Sequence, residues 1–249
     1  MCFKENHISM ATIESTILDG GTCASTKSAQ DMKKAGWKVD DIKMATTSDG
    51  YFIFGYDRFD DKAKSISIKF NNQNYQTSVP VATRDFPTEV INGLPKSKVN
   101  PPQQDWGRIK KEQAQVKSAR QAWSEQRAFL QQFIWPADGR VSGVYGSRRI
   151  LNGEAKRPHY GMDIANKTGT PIIAPADGIV TMAVTDHFYT GGTIIIDHGY
   201  GLNSTYLHMS QVNVETGTNI KQGEKIGEIE LDEELELGEY RYLTQEEVN

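Results

Sequence analysis

A chain of 249 residues with 37% hydrophobic and 24% charged side chains can bury a core in one large domain or two small ones, which excludes a disordered or fibrous polymer. Its net charge of -4 is uneven: positions 230 to 249 hold eight acids and one base, and the rest carries 27 basic against 24 acidic side chains, a net of +3. No basic run is interleaved with aromatics, so no nucleic-acid partner is read.

In chain order, residues 1–48 form a poorly defined N-terminal segment with no strong period. Cys2 and Cys23 lie there without CxxC spacing or a neighbouring His, and are read as incidental. The first twenty residues contain no unbroken apolar run of the length a signal peptide or membrane span needs, so neither a signal peptide nor a transmembrane segment is read. Residues 49–100 read as a small β-rich domain and linker. Tyr51 to Tyr56 is a run of buried-strand type, Ser65 to Phe70 alternates with Ile66, Ile68 and Phe70 on one face, and Asn71 to Asn74 reads as a turn. Tyr75, Thr77 and Val79 continue the alternation, and Gly93-Leu94-Pro95 and Asn100-Pro101-Pro102 punctuate the linker.

Residues 101–132 are rich in helix formers, and Trp106, Ile109, Val116, Ala119, Trp123 and Leu130 draw one apolar stripe, so a helix packed on a neighbouring surface is expected. From Phe133 short apolar runs alternate with Gly, Pro and Asp, the pattern of an all-β domain with tight turns. Expected strands are Gly178 to Val184, Gly192 to Asp197 and Asn203 to His208. The fold class is therefore mainly β with one long helix (α+β): a C-terminal antiparallel sheet preceded by the helix and a small β-rich domain.

Within this domain Arg157 to Asp163, R-P-H-Y-G-M-D, sets His159 and Asp163 four residues apart behind Pro158, with Gly161 to relax the loop between them. A neutral imidazole and a carboxylate are both good zinc donors, but two donors alone hold zinc poorly. Read in isolation, HxxxD is more often a loop histidine and a turn acid. His187 reads as a loop residue, and His198, after a strand, as structural.

Residues about 133–229 resemble the lysostaphin-type, or LytM-like, zinc metallopeptidases that cut peptide bonds in bacterial peptidoglycan. The resemblance is carried by W-P-A-D-G-R-V-S-G-V-Y-G-S at 135–147, P-H-Y-G-M-D at 158–163 and G-T-P-I-I-A-P-A-D-G-I-V at 169–180. It continues through G-G-T-I-I-I-D-H-G at 191–199, Y-L-H-M-S at 206–210 and I-K-Q-G-E-K-I-G-E-I at 220–229. It implies that His159 and Asp163 are zinc ligands, that His208 is a catalytic histidine lining the site, and that the partner is a peptidoglycan peptide in the cell envelope or periplasm. In the family the third ligand is the second His of a later P-H-x-H segment.

This chain instead reads Glu230-Leu231-Asp232-Glu233-Glu234-Leu235-Glu236-Leu237, and no histidine follows His208. Residues 133–229 thus read as an incomplete peptidase domain and 230–249 as an acidic tail. The abrupt change is what an interrupted reading frame would leave, and a Pro-His-x-His segment encoded in another frame downstream is the expectation that tests it. Zinc binding is expected to be weak and hydrolysis impaired; the alternative is a catalytically inactive relative that binds cell wall or activates another hydrolase. A lipoyl- or biotinyl-type carrier is rejected, because 181–216 contains no Lys to modify.

Overall fold

The structure, a computed structural model, describes residues 36–49, 51–70, 73–82, 84–93 and 101–230. The expectations for Cys2 and Cys23, for the rest of the N-terminal segment before residue 36 and for the acidic tail from residue 231 lie outside the described residues. The chain divides into two compact units, Asn6–Asp85 and a unit that runs from Phe86 onward.

The first unit is built on a four-stranded sheet of order β2-β1-β3-β4, from β1 (Gly36–Val39), β2 (Ile42–Lys43), β3 (Lys64–Phe70) and β4 (Gln73–Val79). Sequence periodicity missed the β1–β2 hairpin because its strands are too short to show a period. Its two-residue turn, Asp40–Asp41, has φ of 46° and 67°, the left-handed pair whose twist matches that of the flanking strands. The alternation of Ser65 to Phe70 is realised as β3, with Ile66 and Ile68 buried against Trp37 and Val39. Gln73 and Asn74, expected in the turn, open β4. The Tyr51–Tyr56 run is not a strand; only Tyr56 makes a bridge. Both edges of β3 are occupied by β1 and β4, and Phe52 and Phe54 reach the apolar cluster through their rings, with Phe52 5.3 Å from Trp37 and 6.2 Å from Phe54.

The second unit is organised by a six-stranded antiparallel sheet of order β10-β15-β13-β12-β11-β14. Its strands are β10 (Pro171–Ile173), β11 (Gly178–His187), β12 (Gly191–Gly199), β13 (Leu202–Val212), β14 (Asn219–Ile220) and β15 (Lys225–Ile229). The three long ones cover the expected strands and extend them, and His187, expected in a loop, is buried at the end of β11. Ile194 and Ile196 join Val180, Tyr206, Met209 and Ile226 in the core on one face. Ile195 points to the other, where Ala119, Val116, Met182 and Val184 meet it. That is why Ile194-Ile195-Ile196 reads as an unbroken apolar run: β12 is buried on both faces.

The cover on the second face is α1 (Trp106–Arg120), which follows a 3₁₀ turn at Gln103–Asp105. Arg108 bridges Glu112 (2.7 Å) and Asp186 (3.0 Å), and the Glu112 carboxylate accepts the Phe188 N–H (2.9 Å), which fastens α1 to the end of β11. The helix stops well short of residue 132. Beyond Gln121 the chain crosses the β12–β13 turn: Ser124 O accepts the Tyr200 N–H (3.0 Å), and the rings of Trp123 and Phe129 lie 5.6 and 5.1 Å from Tyr200. These tertiary contacts outweigh the helical propensity of the segment.

Two smaller sheets complete the unit. One is β6 (Arg140–Gly143) paired antiparallel with β9 (Asp163–Ala165); the other has the order β5-β7-β8, from β5 (Thr88–Ile91), β7 (Arg148–Leu151) and β8 (Glu154–Lys156), with β5 parallel to β7. The β7–β8 turn is Asn152–Gly153, at φ 49° and 83°, an Asn-Gly pair whose chemistry marks a tight hairpin.

Candidate metal centre

His159 is fixed through its backbone before its side chain is considered. Its N–H donates to Ser147 O (2.9 Å) and its carbonyl accepts the Gly146 N–H (2.7 Å), so the loop after Pro158 is stapled to the turn that precedes β7. Gly146 sits at φ 88°, and a Cβ there would overlap the Phe86 ring, so only glycine lets this turn close. The His159 imidazole is buried, 3% exposed.

Four residues on, Asp163 opens β9 directly opposite Gly143 of β6. A Cβ on residue 143 would overlap Asp163 Oδ2, so the carboxylate occupies the space that the missing side chain leaves. His159 Nε2 lies 3.3 Å from Asp163 Oδ1. Burial raises the Asp163 carboxyl, but the hydrogen bond and charge of His159, with Arg149 adding to them, outweigh it and hold the group below the usual 3.8.

Two donors bound to one tetrahedral zinc at about 2.0–2.1 Å stand about 3.3–3.4 Å apart, which is the separation found here. The pair therefore fits zinc in chemistry and in spacing. The set is incomplete, because among the described residues no group of three His, Cys, Asp or Glu side chains is placed to hold a metal.

His208 lies on β13, exposed, at φ 56°, and its N–H donates to Thr190 O (2.8 Å). It falls where the β12–β13 register shifts, between Gly192↔Met209 and Ile194↔Tyr206, so a bulge on β13 sets its direction. His198 is held in the core: Nδ1 is 2.7 Å from Asp177 O and Nε2 is 2.8 Å from Ser204 Oγ, which in turn accepts the Tyr206 hydroxyl. Burial lowers its pKa, a structural histidine kept neutral.

Sequence reasoning missed a third member of the site. Arg149 Nη2 is 3.5 Å from Asp163 Oδ2, and its Nε is 3.2 Å from Glu89 Oε2. Glu89 and Arg149 are direct cross-strand partners in the parallel β5–β7 pair. They are 60 residues apart in the chain and β5 has no motif, so no local signal could have joined them.

Residues 157–239 match the model of Peptidase family M23. Over 108 residues the chain is 38% identical to peptidoglycan DD-endopeptidase ShyA of Vibrio cholerae, covering 42% of this chain and 24% of that protein. It is 30% identical over 97 residues to the cell division protein DipM of Caulobacter vibrioides, 39% of this chain and 15% of that one. To the DD-carboxypeptidase/endopeptidase Mpg of Neisseria meningitidis it is 35% identical over 88 residues, 35% of this chain and 20% of that one. The chain thus spans 15% to 24% of the length of these relatives. A solved structure from Pseudomonas aeruginosa, described as an M23 peptidase, matches 78% of this chain and 75% of that one with a TM-score of 0.58 and 23% identity, a likeness of fold. No described helix is long and apolar enough to cross a membrane. With the motif blocks in order, the family-model match over residues 157–239 and the likeness of fold, the C-terminal β domain of this chain is similar to the lysostaphin-type, LytM-like M23 peptidases.

Proposed function

We propose that the chain is an M23-type cell-wall peptidase domain directed at the peptide cross-links of peptidoglycan, with its metal-dependent hydrolysis impaired. The observation that carries this reading is the 3.3 Å approach of His159 Nε2 to Asp163 Oδ1, a donor pair at the spacing of a tetrahedral zinc site. Zinc held there would lower the pKa of its bound water and polarise a scissile carbonyl. By the family resemblance His208, exposed on the β13 bulge, would supply an imidazole for proton transfer. With two described donors in place of three, affinity is reduced, so zinc is bound weakly. The peptidoglycan endopeptidases among its relatives support a location in the cell envelope or periplasm.

The alternative of an inactive relative that binds cell wall or activates another hydrolase is favoured by the same incomplete donor set. Zinc content by elemental analysis, with cleavage of purified cross-linked peptidoglycan peptides, separates the readings. Substoichiometric zinc with slow, zinc-stimulated cleavage that His159→Ala abolishes supports the impaired peptidase. Binding to peptidoglycan without cleavage at any zinc concentration supports the inactive relative. Stoichiometric zinc on the purified chain, lost in His159→Ala, would contradict the impairment.

A further inference from the structure

We infer that Arg149 is a built-in counter-ion that competes with a divalent metal for the Asp163 carboxylate, and that Glu89 sets the strength of that competition. The inference rests on His159 and Asp163 being metal donors. Asp163 divides its two oxygens: Oδ1 faces His159 Nε2 at 3.3 Å, and Oδ2 faces Arg149 Nη2 at 3.5 Å. A guanidinium cannot be deprotonated in this setting, so its charge is permanent. It is also held in place, because its Nε donates to Glu89 Oε2 at 3.2 Å, and with both side chains about 30% exposed its charge is only partly screened.

The rest of the local charge does not cancel it. Lys156 is the antiparallel partner of Arg149 on β8, and its own ammonium is 2.7 Å from Glu154. Across the three strands the directly opposed row is therefore Glu89, Arg149, Lys156, one acid and two bases beside the acid that would bind the metal. A metal arriving at Asp163 meets a fixed positive charge within one side-chain length. Removing that charge should tighten metal binding, and removing Glu89 should weaken it, because Arg149 then turns its whole charge on Asp163. A residue that merely orients Asp163 would give the opposite sign when removed.

Zinc dissociation constants measured by competition with a chromogenic chelator test this on the intact chain, with melting temperatures recorded for every variant. R149Q is expected to bind zinc about tenfold more tightly than the parent, as loss of a unit charge at this range implies, while R149K, which keeps the charge, stays within about twofold. E89Q is expected to bind severalfold more weakly, a readout that survives if R149Q does not fold. Weaker or unchanged binding in a folded R149Q, or tighter binding in E89Q, overturns the inference. His159→Ala separates the two levels: if it leaves the parent's zinc affinity unchanged, the donor reading has failed, whereas if it abolishes binding while R149Q fails to tighten it, only the role of Arg149 has failed.

Discussion

Gly143 shows how a residue with no side chain can shape a candidate metal centre. It faces Asp163 across the β6–β9 pair, and any Cβ there would overlap the carboxylate. Gly143→Ala should therefore push Asp163 away from His159 and abolish zinc binding, at a cost in stability of about 1–3 kcal/mol typical of overpacking; a zinc titration with a thermal melt checks both. At the same scale His198 is neutral because burial disfavours its charged form. Its pKa in the folded chain lies below the usual 6.5, so the unfolded chain binds the proton first as pH falls. Its contribution is therefore fully present above 6.5 and is lost as pH falls from there through the lowered folded-state value. In His198→Asn the melting temperature should be lower at neutral pH and lose this part of its decline on mild acidification. An unchanged slope would remove His198 from the acid response. The approach of His159 to Asp163 was readable from their four-residue spacing, whereas the Arg149–Glu89 contact was not, because only the β5–β7 pairing makes them neighbours.

At the scale of elements, β12 explains what an apolar run means. Ile194 and Ile196 serve the main core while Ile195 serves the interface under α1, and all three are fully buried. Ile195→Ala should cost about 2–5 kcal/mol, since it opens a cavity where Ala119 and Met182 cannot collapse without moving the helix. Chemical denaturation checks it, and a loss under about 1 kcal/mol would mean that α1 is not tightly packed on the sheet. Of the expected helix stripe, Ile109 and Ala119 are buried and Val116 packs beside Ile195, whereas Trp106 is exposed. Past Arg120 composition still favours helix, yet the chain keeps only a 3₁₀ turn at Ala128–Leu130 and packs on Tyr200 and its turn, information that resides seventy or more residues away and not in local propensity. In the Tyr51–Tyr56 run the apolar side chains are used differently from a strand's: Phe52 and Phe54 pack by their rings on the Trp37 cluster without a strand ladder.

For the whole molecule the informative boundary is at Phe86. Sequence punctuation by Gly93 and Pro101-Pro102 suggested a division near residue 100, but β5 belongs with the peptidase-like unit: its strand pairs β7, Phe86 packs on Gly146 and Tyr145, and Glu89 holds Arg149. A chain begun at Phe86 should therefore unfold as one cooperative transition with the parent's zinc affinity. A chain begun at Pro101 should melt lower and bind zinc with altered affinity; equal behaviour of the two truncations would show that β5 is dispensable. The antiparallel β domain was legible from its turn residues and ordered motif blocks, while the smaller sheets were not, since their strands are three or four residues long. The most direct test of the account is anomalous scattering at the zinc edge from crystals of the chain soaked in millimolar zinc. The account predicts a peak between His159 Nε2 and Asp163 Oδ1, within bonding distance of both. A peak at another site with none at this pair, or no peak at all, would contradict it.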